Sequence, residues 1–291
     1  MKTNKIIAVA AVLALLAGSC TKDNLRIRLL SEPMSFGAKV LMDPANINNA
    51  EWVEHEYINL NGTPREISKH DGSYYIDLDA PISGDLTAVY PAATNDANGN
   101  VVTYDAGVLT IHSLNIDFRG DKHSIIFPMA AEAPDGSELL KFDHLTAGLK
   151  LTLTDTTTNS DYTLGSLRII TYGSGSTSEN LDAIPGINVQ WAEQGLAVPG
   201  GMVGENGSSV DAKYASQMDF TLTNNGEGGK KITSGNSISF CVPITVKTVS
   251  AIQVMGFDTD GKQVFGKMKT NPNAATEMVA NHMYLVPTIE F

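Results

Sequence analysis

Apolar and polar residues alternate with a period of two along most of this chain, in short runs broken by turn residues. That period puts every second side chain on one face, which is the pattern of a strand with one side buried. The clearest runs are residues 52–60 (WVEHEYINL), 74–78 (YYIDL), 86–90 (LTAVY), 108–116 (VLTIHSLNI), 149–154 (LKLTLT), 166–171 (SLRIIT), 218–223 (MDFTLT), 237–246, 249–257, 263–268 and 282–291. Between them fall Asn61-Gly62, Asp71-Gly72, Asn98-Gly99, Asp135-Gly136, Asn225-Gly226 and Asp260-Gly261, the dipeptides that tight hairpin turns require. Residues 251–269 read as a plain hairpin. No long amphipathic helix is predicted; residues 144–148 are the one place read as a helical turn. Many short strands at this spacing predict an all-β protein built as a sandwich or a pair of sandwiches.

Residues 133–138 (APDGSE) are a Pro/Gly turn near mid-chain. They divide the expected organisation into a signal peptide over 1–19, a first β-sandwich domain over 20–134 and a second over 135–291. Residues 172–217, with GSGSTSEN and VPGGMVGENGSS, are longer than an average connection and predict an irregular strand or a surface flap.

The first twenty residues change the picture. Lys2 and Lys5 precede an apolar run, IIAVAAVLALLA, and then Gly18, Ser19 and Cys20. A basic head, an apolar stretch of this length and small residues at its exit predict a secretory signal cut between Ser19 and Cys20. The run falls short of the about 20 residues that a spanning helix needs. LLAGSC resembles a bacterial lipobox, in which the cysteine thiol receives a diacylglycerol; the alternative is an ordinary signal with an incidental cysteine. With acyl chains on Cys20, the protein is expected to be anchored to a membrane.

The 291 residues carry a formal net charge of -12, and losing Lys2 and Lys5 with the signal takes it to -14. Such a chain repels nucleic acid and anionic lipid, so neither is an expected partner. After Cys20 the remaining cysteine is Cys241, in SISFCVPITV, which reads as a buried, inert core thiol. His55, His70, His112, His123, His144 and His282 make no HExxH motif and no metal-ligand spacing. There is no G-x-S-x-G elbow and no P-loop. The acidic turns at 96–100 and 258–261 resemble the openings of calcium loops but lack a glutamate at the twelfth position. Glu54, Glu56, Asp77 and Asp79 alternate on strand-like runs, a pattern shared by paired hydrolytic carboxylates and by a solvated sheet face, and the second reading is preferred. Trp52 and Trp191 read as core residues. No catalytic residue, metal or cofactor is assigned.

Several landmarks resemble the fimbrillin-like pilus subunits of Bacteroidales, major and minor fimbrillins alike. Cys20-Thr21-Lys22-Asp23-Asn24 is similar to their lipidated start, and its Lys-Asp to the short charged signal that sends lipoproteins to the cell surface. Residues 86–91 (LTAVYP) resemble a strand ending in aromatic-Pro. Residues 127–131 (FPMAA), 140–151 (LKFDHLTAGLKL) and the close at 281–287 (NHMYLVP) resemble further family passages. The resemblance implies two transthyretin-like, Greek-key β-sandwich domains in tandem, and a structural subunit of a type V-like fimbria or a surface adhesin. It implies an outer-membrane, surface-exposed location before assembly into the fimbrium. Partner subunits would join by donor-strand exchange, and a host or bacterial surface ligand is a further possible partner. A protease would remove the first strand; Arg28, Lys39 and Arg65 are candidate sites, and none sits where the family cut usually falls. The donor strand would be the C-terminal run with Met283, Tyr284, Leu285, Val286, Ile289 and Phe291. A second reading is a surface glycan-binding lipoprotein of a nutrient-uptake system, which needs an exposed aromatic platform; a third, a lipid-anchored hydrolase, has no catalytic constellation to support it.

Overall fold

The structure is a computed structural model. It describes the backbone of Asn24–Leu29, Leu41–Asp43 and Asn46–Glu51, and residues 52–291 apart from 53–54, 98, 121, 138, 159–160, 174–185, 204–206, 208, 246–247, 271–275 and 281. The described residues are all-β, with no helix among them.

Among the described residues two large sheets and two small ones carry the chain, the smallest being the pair Thr248–Val249 and Thr276–Glu277. The first is eight-stranded, in the order Leu139–Lys141, Asn24–Leu29, Ser73–Leu78, Thr63–His70, Tyr57–Leu60, Leu86–Tyr90, Met129–Ala133, Asp143–His144. The second runs Gln263–Thr270, Ala251–Asp258, Tyr162–Gly173, Tyr214–Asn224, Val108–Arg119, Lys122–Ser124, Leu41–Asp43, Asn46–Glu51, with shorter strands along it. The third pairs Ala147–Thr154 with Ser237–Ile244 on one side and with Met283–Leu285 and Ile289–Glu290 on the other. It lies over the second sheet: Phe240 meets Phe118 edge-on at 6.0 Å, and Phe291 stacks on Phe265 at 4.3 Å.

The alternation seen in the sequence is the burial seen in the fold. Leu149, Leu151 and Leu153 are buried while Lys150, Thr152 and Thr154 are half-exposed. Each such leucine contributes about 1.5–3 kcal/mol. In Val108–Arg119 the buried apolar positions are Leu109 and Ile111, then Leu114, Ile116 and Phe118. The register slips between Ile111 and Ser113, and an extra residue in a period-two element moves every later side chain to the other face. Asn61-Gly62, Asp71-Gly72 and Asn225-Gly226 all have positive φ at both residues, as a type I′ turn demands.

Two local expectations are corrected. Residues 144–148 are not a helical turn: the Leu145 N–H donates to the Pro128 carbonyl of another segment, and Ala147 opens a strand. Among the described residues of the 52–60 run, Tyr57–Leu60 is the predicted strand, whereas His55 is left-handed at φ 67° and stands in a turn. Trp52 packs edge-on against Tyr90 at 5.2 Å and Phe142 at 5.0 Å. Thr63–His70 and Met129–Ala133 lack a clean alternation and were not expected as strands. The turn at 133–138 is present, closed by the Ser137 N–H on the Pro134 carbonyl. Pairing crosses it: Leu139–Lys141 joins the first sheet, and Tyr214–Asn224 runs parallel to Val108–Arg119 from Leu114↔Phe220 to Phe118↔Asn224.

Candidate functional site

The two ends of the described chain are the elements with the most unusual placement. Asn24–Leu29 is an interior strand. It pairs in parallel with Ser73–Leu78, from Arg26↔Tyr75 to Leu29↔Leu78, and antiparallel with Leu139–Lys141, from Asn24↔Lys141 to Arg26↔Leu139. Its two neighbours do not pair with each other. Next to it, Ser68, His70 and Asp77 form a polar cluster. The Ser68 hydroxyl donates to Asp77 Oδ2 at 2.6 Å, and His70 Nε2 lies 3.2 Å from the same oxygen. The serine bonds the carboxylate and not the imidazole, so this is not the relay of a hydrolytic triad.

The C-terminal run lies at the edge of the third sheet, parallel to Ala147–Thr154. The Val286 N–H donates to the Lys150 carbonyl at 3.0 Å, and the Phe291 N–H to the Thr154 carbonyl at 3.1 Å. Among the expected donor residues, Val286 and Ile289 are buried and Met283, Tyr284 and Phe291 half-buried, whereas Leu285 is 77% exposed. Pro287 separates the two paired pieces, and the inward phase shifts from Tyr284 and Val286 to Ile289 across it. A groove of about 300 Å³ runs beside this edge, lined by Leu149, Val249, Ile252, Met278, Tyr284 and Val286 among others.

Of the candidate cleavage positions, Arg28 stands in Asn24–Leu29 and Arg65 in Thr63–His70, in register with Ile58. Both are within hydrogen-bonded strands rather than loop tips, where proteolysis concentrates. Ser19, Cys20 and Lys39 lie outside the described residues, as does Glu54.

The remaining polar residues are held by structure. The Asn100 N–H donates to Asp96 Oδ1 at 3.0 Å, and the Asp260 and Lys262 N–H groups to Asp258 Oδ1, so both acidic turns use their carboxylates to close themselves. Among the described residues no group of three or more His, Cys, Asp or Glu is placed to hold a metal. Glu56 accepts from the buried Tyr90 hydroxyl, whose pKa is raised well above 10 by burial and by that carboxylate. Trp52 and Trp191 are buried. Among the described residues the aromatics in the exposed large apolar set are Tyr57 and Tyr214, which lie on different sheets.

Two buried polar sites had no signal in the sequence. His123 is fully buried, its Nε2 accepts the Cys241 backbone N–H at 2.9 Å, and burial pushes its pKa down to about 4. Asp117 accepts from the Thr223 hydroxyl, the Gly226 N–H and Arg119 Nε at 2.8–2.9 Å. Burial alone would raise its carboxyl, but the bonds from Gly226, Arg119 and Thr223 outweigh it and hold the pKa below the usual value. Cys241 is buried in Ser237–Ile244, the core position expected of it.

No protein-family model matches this chain, and no curated protein does. Among solved structures it is similar to a candidate cell adhesion protein of Bacteroides ovatus, at 12% identity over 91% of this chain and 92% of that one, with a TM-score of 0.39. A candidate cell adhesion protein of Bacteroides fragilis has 10% identity over 92% and 94%, with a TM-score of 0.39. One of Bacteroides uniformis has 11% identity over 94% of each chain, with a TM-score of 0.31.

Proposed function

We propose that this chain is a non-catalytic surface subunit, a building block of a type V-like fimbria or an adhesin, exported as a lipoprotein through Cys20 and assembled by strand exchange. One observation supports the reading: Asn24–Leu29 is an interior strand near the N-terminal end, and its two neighbours do not pair with each other. Releasing it breaks no other chain connection. It leaves Ser73–Leu78 and Leu139–Lys141 as two facing edges with unpaired N–H and C=O groups. An extended strand from a second copy satisfies both edges at once. The C-terminal run suits the donor role, since it is held along one edge alone.

The test combines electron microscopy of expressing cells with N-terminal sequencing of surface material. Filaments whose subunits begin beyond residue 29, and which vanish when residues 283–291 are deleted, are the expected result. Polymerised subunits with an intact lipidated Cys20 terminus would rule out release of the first strand. Labelling with a palmitate analogue, lost in Cys20→Ala, checks the anchor.

A further inference from the structure

We propose that Asp77 reads the charge of the strand lying beside Ser73–Leu78, and sets its register by selecting a basic residue at the position held by Arg28. The biological use of this selection rests on the strand-exchange reading; the selection itself is a property of the folded chain.

Arg28 is the register partner of Asp77 and Arg26 that of Tyr75. The carboxylate is built for a fixed partner. Its side chain is 12% exposed, the Ser68 hydroxyl donates to Oδ2 at 2.6 Å, and His70, only 10% exposed, borders the same oxygen. Tyr75 lies edge-on to His70 at 5.6 Å and closes that side. A carboxylate so removed from water is stabilised by a nearby cation, and leaving it without one is costly.

The same fold contains an arginine–aspartate bridge between register partners elsewhere. Arg168 and Asp219 are also register partners on adjacent strands, and they form a two-pronged bridge, Nε to Oδ1 at 2.7 Å and Nη2 to Oδ2 at 3.1 Å. Arginine is scarce: the chain has five, Arg26, Arg28, Arg65, Arg119 and Arg168, and two of them fall in this six-residue strand. Register supplies the selectivity. A slip of one residue sets an arginine beside fully buried Ile76 and an apolar residue beside Asp77, so both positions are violated together. The preferred occupant is therefore an extended segment with basic residues two apart and apolar residues between them, as in Leu25-Arg26-Ile27-Arg28-Leu29.

Hydrogen exchange on the full chain, resolved to the peptide covering residues 24–29, tests this. Arg28→Asp and Asp77→Arg should each accelerate exchange of that strand by about tenfold or more. The double swap should bring it back to within about threefold of wild type. Acceleration should be confined to Asn24–Leu29 and its two neighbours, with Ala147–Thr154 unchanged. Independent effects that simply add, single variants that leave the strand unchanged, or acceleration spread equally to Ala147–Thr154 would overturn the proposal. If Asp77→Arg does not fold, the milder cycle of Asp77→Asn and Arg28→Gln serves: coupling between them supports the selection, and additivity overturns it. Polymerisation plays no part in this readout, so failure of strand exchange and failure of the charge lock are told apart.

Discussion

Replacing His123 with glutamine should make the protein less stable at neutral pH and almost indifferent to the pH range in which wild type weakens. The imidazole is fully buried between the Phe118 ring, 6.2 Å away, and the Cys241 backbone, whose N–H it accepts at 2.9 Å. Glutamine keeps an acceptor but loses the ring, which costs about 1–3 kcal/mol at pH 7. The pH term follows from linkage. The folded pKa is about 4 and the ordinary value 6.5, so between them the unfolded chain holds a proton that the native chain refuses. Stability is therefore complete above pH 6.5, falls as pH drops toward 4 and levels off below it. From pH 7 to pH 4.5 this amounts to about 2.5 kcal/mol for wild type, and the glutamine variant lacks it. Urea unfolding, followed by the fluorescence of buried Trp52 and Trp191, measures both chains at both pH values. The wild-type advantage at pH 7 should vanish at pH 4.5. A difference between the two chains that stays constant with pH would refute the reasoning.

Asp117→Ala should cost about 3 kcal/mol in the same assay, because it strands the Gly226 N–H and removes the acceptor of Arg119 Nε. The folded carboxyl sits below its ordinary 3.8, so this stability is present above that pH and is lost as pH falls through the folded value. Gly173→Ala should cost about 2–3 kcal/mol, since a Cβ there lies 2.1 Å from the Thr248 carbonyl oxygen. Gly200→Ala, with nothing within 4 Å, should change the melting temperature little, and a loss equal to that of Gly173→Ala would contradict the geometry. Trypsin should cut after Arg65 only as fast as the protein unfolds, because the bond lies inside a strand whose Arg65 and Glu66 are paired with Ile58 and Tyr57. An early fragment starting at Glu66 under native conditions would show that Thr63–His70 opens locally.

Strand identity was legible wherever one face is buried and the other wet, as in LKLTLT, because a period of two is then written directly in the side chains. It was not legible in Thr63–His70 or Met129–Ala133, whose buried residues are consecutive or small. The turns at 61–62, 71–72 and 225–226 were legible because positive φ at two successive residues favours Asn-Gly and Asp-Gly pairs, whereas Ala106-Gly107 takes the same geometry without that signal. The parallel pairings of Asn24–Leu29 and of the C-terminal run left no trace in the sequence, since local alternation carries no information about which strand is the neighbour. Nor did the buried polar residues. His123 sits in Lys122-His123-Ser124, a triplet indistinguishable from a surface turn, and becomes core only because Phe118 and Ser237–Ile244 close over it.

The C-terminal run shows why a strand pattern alone cannot assign an assembly role. MYLVPTIEF has apolar residues at both parities, so several phases would bury a comparable face. The fold resolves this by changing phase at Pro287, which has no N–H to donate, so that Val286 and Ile289 both turn inward and Leu285 is left in water. A donor in a longer, unbroken groove has no reason to keep that break, and its inward set would then be every second residue. Which leucine or isoleucine becomes protected on assembly is therefore the informative quantity. Protection of Leu285 against solvent would mean that the strand is re-phased in a new partner. Continued exposure of Leu285 would mean that the run keeps its own sheet, and the strand that fills the first-strand gap must then come from elsewhere in the chain.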